Sequence, residues 1–258
     1  MKWLLRPFQW LYSVYALITF VTIMILIFPF VIIASFFGHI RGGNMIWRLC
    51  MLWGDIWFSL IFIRAKRIYE LPHDKSKPYI FVSNHISYID AAYLVMVFRQ
   101  PVRPLAKIEM TKIPVFGFIY KNAVVTVDRT NSQNRSRSIR ILKSISKKGI
   151  SVVVFPEGTF NMTNKPLKEF YDGAFRVAIE TQTSIKPVLF LDTYNRMNYK
   201  TVFSLTPGKC RAVYLEEIPV NGLTIADTHK LKEKVYSIME NKLREYGANW
   251  IQPSVSKS

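Results

Sequence analysis

The chain has 258 residues, half of them hydrophobic, with 35 Lys and Arg against 17 Asp and Glu and a net charge of +18. That length suits one substantial domain plus an appendage, and the charge calls for an anionic partner: nucleic acid, an anionic membrane surface, or an acidic substrate or carrier. Mean hydropathy is positive, which favours the membrane over nucleic acid, while Cys50 and Cys210 fit no metal spacing and read as unpaired and buried in a reducing compartment.

Pro7 to Ile40 holds no Asp, Glu, Lys or Arg, and Leu11 to Phe37 is almost wholly apolar. About 20 such residues cross a bilayer core, so this segment is expected to insert into a membrane, as a span or as a half-inserted hairpin kinked at Pro29. A second apolar stretch runs from Met45 to Ile63 after a turn at Arg41, Gly42, Gly43 and Asn44. Its Arg48, Asp55 and Ser59 fall on one helical stripe, and Trp47, Trp53 and Trp57 suit a headgroup-level position. Arg64, Lys66 and Arg67 mark the exit from the membrane region. Positive charge is denser after the apolar segments than before them, which predicts a C-terminal domain on the cytoplasmic side. The division expected is 1–67 for the membrane helices and 68–258 for the second domain.

Beyond residue 75, short apolar β-rich runs at 78–84, 123–129, 151–158, 186–191 and 209–217 alternate with helical stretches at about 88–99, 134–148, 170–182 and 225–246. Thr224 and Asp227 start the last helix, and Gly247 follows its end. Continuously apolar strands alternating with helices predict an α/β sandwich with a largely buried sheet, whose ligand sites collect at strand ends.

Four stretches sit at such ends. In the first, Asn84 and His85 precede Asp90 by one helical turn. A carboxylate on one imidazole nitrogen fixes the tautomer and raises the basicity of the other, giving a base and its orienter that need an outside nucleophile. A surface histidine near a helix start, with Ser87 as N-cap, is the bland alternative. The second stretch carries Lys107 and Glu109 ahead of Pro114 and Gly117. It is either a turn-rich loop with a solvated lysine or a partly apolar loop offering a cation to an anionic group. The third ends a strand in Asp128 and Arg129. In the fourth, a strand runs into Pro156, Glu157, Gly158 and Thr159, where glycine permits close approach of a ligand.

Taken together, N-H-x4-D, K-x-E-x4-P-x2-G, V-D-R and F-P-E-G-T, in this order, resemble the glycerolipid acyltransferase family, the PlsC-like 1-acylglycerol-3-phosphate acyltransferases. The resemblance covers about residues 75–220. It implies an αβα acyltransferase domain with a mostly buried mixed sheet, preceded by an N-terminal membrane helical motif. It implies that His85 takes the proton from a lipid hydroxyl while Asp90 orients it, and that the hydroxyl attacks an acyl thioester directly. Asn84, Lys107, Glu109, Arg129, Glu157, Gly158 and Thr159 are the substrate-binding residues it implies. The thioester is carried by acyl-CoA or an acyl carrier protein as co-substrate, with no further cofactor and no metal. The acceptor is a lysolipid held at membrane lipids, on the cytoplasmic face of the inner membrane in a bacterium. One departure stands out: the family's fourth block continues from threonine into Arg-Ser, and here Phe160 and Asn161 follow Thr159. That arginine helps bind the acceptor's phosphate in phosphatidic-acid-forming members, and Lys165 or Arg176 are candidates to replace it. Phosphatidic acid synthesis is the default expectation. A lysophospholipid or lyso-aminolipid (ornithine or glycine lipid) acyltransferase is the close alternative, and a non-catalytic lipid-binding adaptor or a thioesterase are the more distant ones.

Arg129 to Lys148 carries seven cations and no acid. As a block it suits anionic lipid, the phosphates of coenzyme A or an acidic carrier protein; residue by residue it reads as a solvated helix face. No nucleic-acid recognition motif occurs, so no nucleic-acid partner is expected.

Overall fold

The computed structural model describes residues 6–127 and 132–251. Seven strands form one sheet in the order β1-β7-β6-β2-β5-β3-β4: β1 (Ile63–Tyr69), β2 (Ile80–Ser83), β3 (Val102–Lys107), β4 (Val125–Val127), β5 (Ser151–Val154), β6 (Ile185–Phe190) and β7 (Gly208–Tyr214). The five strands from β6 to β4 are parallel, β7 runs antiparallel to β6, and β1 is parallel to β7. The sheet is therefore mixed. The C-terminal ends of β2, β5, β3 and β6 share one edge with the N-terminal ends of β7 and β1.

Alternate residues of each strand feed two cores. Phe81, Val153, Val188, Phe190 and Tyr214 face a layer built from α2 (Gly43–Leu60), α3 (Asp90–Val97) and α4 (Phe116–Ala123), with α1 (Arg6–Ser35) packed on α2 and α4. Ile80, Val82, Val152, Val154 and Leu189 face α5 (Ser132–Ser146), α6 (Gly173–Thr181) and α8 (Thr228–Glu245). This is the αβα sandwich expected from the alternation of apolar strands and helices. Thr224 and Asp227 form the capping box ahead of α8.

Two strands depart from the sequence reading. Arg64, Lys66 and Arg67, expected to be an exit segment, lie in β1, an edge strand, so the sheet begins at Ile63. A charged edge strand is protected against pairing with other chains, which is why its apolar signal is weak. β3 was not expected at all, because Pro101 and Pro104 argue against a strand between two neighbours.

Helices α1 and α2 form an antiparallel hairpin whose π-helical turn, Gly38–Gly42, is pinned to the domain by Arg103 of β3. The Arg103 guanidinium is buried and donates to the carbonyls of His39 and Ile40 at 3.2 and 3.3 Å and to Asn44 Oδ1 at 2.9 Å. At Gly42 a Cβ would come within 2.3 Å of the Ala34 carbonyl oxygen, so only glycine lets the chain fold back this tightly. The helix continues through Pro29 to Ser35. Of the two placements open to the second apolar stretch, packed on the first helix or lying in the interface, the structure shows the packed one: Trp47, Trp53 and Trp57 are buried, their indole N–H groups donating to the carbonyls of Phe98, Phe20 and Ala16. Of the expected polar stripe, Asp55 forms a bidentate pair with Arg99 beyond α3 at 2.9 and 2.6 Å, and Arg48 is exposed. Both cysteines are free; Cys210 is buried and Cys50 half-buried.

Candidate active site

β2 ends at Ser83, and the chain crosses its edge as Asn84-His85 before α3 begins at Asp90. Asn84 is buried and serves as a clamp. Its amide donates to the Phe190 carbonyl at 3.0 Å and accepts the Phe190 N–H at 2.8 Å, tying the end of β2 to the end of β6.

Asp90 Oδ2 accepts three hydrogen bonds, from His85 Nδ1 at 2.9 Å and from the Ile86 and Ser87 N–H groups at 2.8 Å each. A carboxylate only accepts, so Nδ1 carries the hydrogen and Nε2 keeps its lone pair. The Asp90 side chain is fully buried, whereas the imidazole is 18% exposed. Solvent and substrate can therefore reach the histidine but not its partner. Ser87 Oγ is occupied by the Ile89 N–H and the Met197 carbonyl, which makes it part of the turn before α3.

The fourth block of the sequence holds the histidine from the other side. Glu157 is fully buried, and its two oxygens accept the N–H groups of His85 and Lys168, each at 2.8 Å. Burial pushes its carboxyl up to about 8, against the pull of those two backbone donors. Asn161 donates its N–H to the His85 carbonyl at 2.7 Å. Both backbone polar groups of His85 are thus fixed by the loop after β5. Gly158, at φ +73°, makes the turn that swings Glu157 inward.

Two rings flank the imidazole. Phe155 stacks on it with centroids 4.2 Å apart, and Phe160 stands tilted at 4.4 Å with its far side against Tyr88. The position where the family resemblance calls for arginine thus carries an apolar ring in direct contact with His85.

His85, Asp90 and Glu157 are joined by hydrogen bonds, and Asn84 and Gly158 shape the backbone beside them. Thr159 is exposed and its hydroxyl receives Lys168 Nζ at 3.0 Å. Lys107 ends β3 and Glu109 follows it; both are exposed on the same sheet edge, without a hydrogen bond to the histidine. Arg129 lies outside the described residues. Lys165 and Arg176 are exposed, Arg176 on α6. Lys168 and Asn161 were missed by sequence reasoning. Both lie in a polar loop, and only the fold reveals that the loop returns under His85.

A sequence model of the Acyltransferase family matches residues 63–191, from the first residue of β1 to the loop after β6. Human 1-acyl-sn-glycerol-3-phosphate acyltransferase alpha is 30% identical over 212 residues, covering 80% of this chain and 73% of that protein. The 1-acyl-sn-glycerol-3-phosphate acyltransferase of Limnanthes douglasii is 28% identical over 209 residues, 79% of this chain and 69% of the relative. In three dimensions the chain matches the crystal structure of the 1-acyl-sn-glycerophosphate (LPA) acyltransferase PlsC from Thermotoga maritima. The TM-score is 0.73 at 22% identity, over 98% of this chain and 100% of that one. From the matched domain and the relatives spanning most of its length, this chain belongs to the acyltransferase family.

Proposed function

We propose that this enzyme is a membrane-bound O-acyltransferase that moves a fatty acyl group from acyl-CoA or acyl carrier protein to the hydroxyl of a lysolipid, with 1-acylglycerol-3-phosphate as acceptor and phosphatidic acid as product. The observation that carries this reading is the His85–Asp90 pair, with Nε2 free toward the open edge and Nδ1 held by a buried carboxylate. His85 Nε2 takes the acceptor's hydroxyl proton as the oxygen attacks the thioester carbonyl. The carbon–sulfur bond then breaks, and the imidazolium returns the proton to the departing thiolate. Asp90 stabilises the imidazolium without leaving its three donors. Glu157 and Asn161 hold the His85 backbone still and do not touch substrate. Holding both amphiphiles at one surface supplies much of the rate through proximity.

The membrane part of the reading rests on α1. Leu11, Ile18, Ile25, Leu26, Phe30 and Ile33 form an exposed apolar face far beyond what a water-soluble surface carries. The helix also lies along the domain. Gln9 bonds the Ser204 carbonyl at 3.0 Å and Phe28 packs on Phe118 of α4, roughly 28 Å apart along the axis. A perpendicular span would drag the domain into the bilayer. A hairpin lying in one leaflet with its outer face in the acyl chains fits both observations. The charge bias after the apolar segments supports a domain on the cytoplasmic side.

Phe160 favours a second acceptor class. An aromatic ring against His85 and Tyr88 offers no charge to a terminal phosphate, and suits a lysolipid whose phosphate is esterified or replaced, such as a larger-headgroup lysophospholipid or a lyso-aminolipid. Labelled acyl-CoA and acyl carrier protein, offered with lysophosphatidic acid, larger-headgroup lysophospholipids and lyso-aminolipids to wild type and His85→Ala, test both readings. His85-dependent transfer to lysophosphatidic acid supports the first. His85-dependent transfer to the other acceptors alone replaces it by the second. No transfer to any of them overturns acyl transfer to these lipids.

A further inference from the structure

On the same sheet edge as His85, three strand positions away and so roughly 14 Å along the sheet, the edge strand β1 starts beside β7. Arg64 and Lys209 are register partners there, and Lys66 follows on the same face as Arg64. All three are exposed, and none makes a salt bridge among the described residues. Like charges side by side on neighbouring strands repel, and no ion pair among the described residues offsets this. They line an open cavity of about 550 Å³ with Phe62, Pro207 and Gly208. Behind it Arg196 donates to the Pro207 carbonyl, while its Nε is buried without a partner among the described residues.

Phe62 connects this basic cavity to a second one of similar volume, lined by Tyr15 of α1 and by Asp55, Ile56, Ser59 and Leu60 of α2. Asp55 in its wall is already neutralised by Arg99. Phe62 itself has φ +50°, a left-handed conformation costly for a bulky side chain, and the residue is 66% exposed. Its backbone is fastened by Phe62 N–H to Ser59 O and by Gly208 N–H to Phe62 O, so the strain is held in place. A strained, exposed aromatic residue thus separates a cationic hollow from an apolar one.

We propose that this edge binds one anionic phospholipid. Its phosphate sits on Arg64, Lys66 and Lys209, and an acyl chain passes Phe62 into the groove between α1 and α2. The chemistry recognised at the head is a phosphate monoanion; the apolar half commits the site to a lipid rather than free phosphate. This site is separate from the acyl-transfer reading, since none of its residues touches His85, Asp90 or Glu157. Its bound lipid would seat the catalytic edge of the sheet on the membrane surface.

The test uses the full-length protein in neutral detergent, where no bilayer is needed, titrated with fluorescent phosphatidylglycerol. One saturable equivalent is expected. Arg64→Glu and Lys209→Glu should each weaken binding by about tenfold or more, the loss of a charge-assisted contact. Lys147→Glu with Lys148→Glu, the same charge change beside α5, should leave it unchanged, as should His85→Ala. Phe62→Gly should weaken binding while keeping or raising the melting temperature, because it relieves the backbone and removes the ring. Equal losses in the Lys147/Lys148 variant would show diffuse attraction to charge and overturn the site. So would full binding in Arg64→Glu and Lys209→Glu, or displacement of the lipid by inorganic phosphate at equal concentration. A protein that binds lipid as expected but transfers no acyl group keeps this proposal and loses the other.

Discussion

Two stretches of one sheet edge differ in how their polar groups are satisfied. Around His85, Oδ2 of Asp90 has three donors, Glu157 has a donor on each oxygen, and the backbone N–H and carbonyl of His85 are both occupied. At Arg64, Lys66 and Lys209 the cations point into an open cavity beside a strained Phe62. The first arrangement holds the imidazole before any substrate arrives, as a group that must act in one tautomer and one direction requires, with Asp90 Oδ1 alone left buried without a partner among the described residues. The second leaves three cations without an acid beside them among the described residues. Preorganisation and unmet charge therefore separate the proposed site of chemistry from the proposed site of attachment.

The largest effect expected from breaking the first arrangement is on turnover. His85→Ala should lower kcat by about 10²- to 10⁴-fold, the range of general-base catalysis, with some fall in the thermal midpoint because buried Asp90 loses one of its three donors. Asp90→Asn should lose a comparable factor and also melt lower, because the group that gathers the His85, Ile86 and Ser87 donors loses its charge. Turnover kept in His85→Ala, measured with the acceptor that wild type prefers, would remove the histidine from the reaction.

Glu157 separates positioning from chemistry. Glu157→Ala leaves the His85 and Lys168 N–H groups buried without acceptors, at about 1–3 kcal/mol each. A fall in the thermal midpoint of roughly 4 °C or more is expected, together with lower kcat and little change in KM. Glu157→Gln retains one acceptor and should recover part of both. A residue that bound substrate directly would move KM instead.

These roles were only partly legible in the sequence. The order of the four polar blocks placed His85, Asp90 and Glu157 at strand ends, and apolar runs located five of the seven strands. β1 and β3 escaped because Arg64, Lys66 and Arg67 in one, and Pro104 in the other, mask the pattern that a strand normally shows. The tryptophans of α2 were only half legible for a similar reason: composition says aromatic and amphipathic, but only packing shows that Trp53 and Trp57 find carbonyls of α1 and that Trp47 finds the Phe98 carbonyl after α3. Glu157 stands at the right strand end, yet its inward direction is set by Gly158 and by the return of Asn161 and Lys168, contacts that no local spacing encodes.

A smaller, tenfold-scale effect is expected at Phe160. Its ring touches both His85 and Tyr88. Phe160→Arg puts a guanidinium where the acceptor's headgroup would approach, a contact worth about 1.5 kcal/mol or more. The ratio of kcat/KM for lysophosphatidic acid over a larger-headgroup lysophospholipid should rise by about tenfold. An unchanged ratio would place the headgroup elsewhere and leave Phe160 as cover for the imidazole alone.

The last effect is a slope in pH, read in stability rather than in turnover. The Glu157 carboxyl ordinarily titrates near 4.5 and is pushed up to about 8 by burial in the fold. Between those values the folded protein holds a proton that the unfolded chain has lost, so the stability it contributes is full below about 4.5 and drains away as the pH rises through 8. Above that pH a charge sits in the interior near Asp90, held by two backbone N–H groups and the nearby Lys168 cation. The thermal midpoint of wild type should therefore fall from pH 5 to pH 9, and that of Glu157→Gln, which cannot ionise, should fall less. Parallel curves for the two proteins would mean that the two donors keep the carboxylate ionised throughout. The strut under His85 would then be a charged one, with its cost of burial met by the backbone it holds.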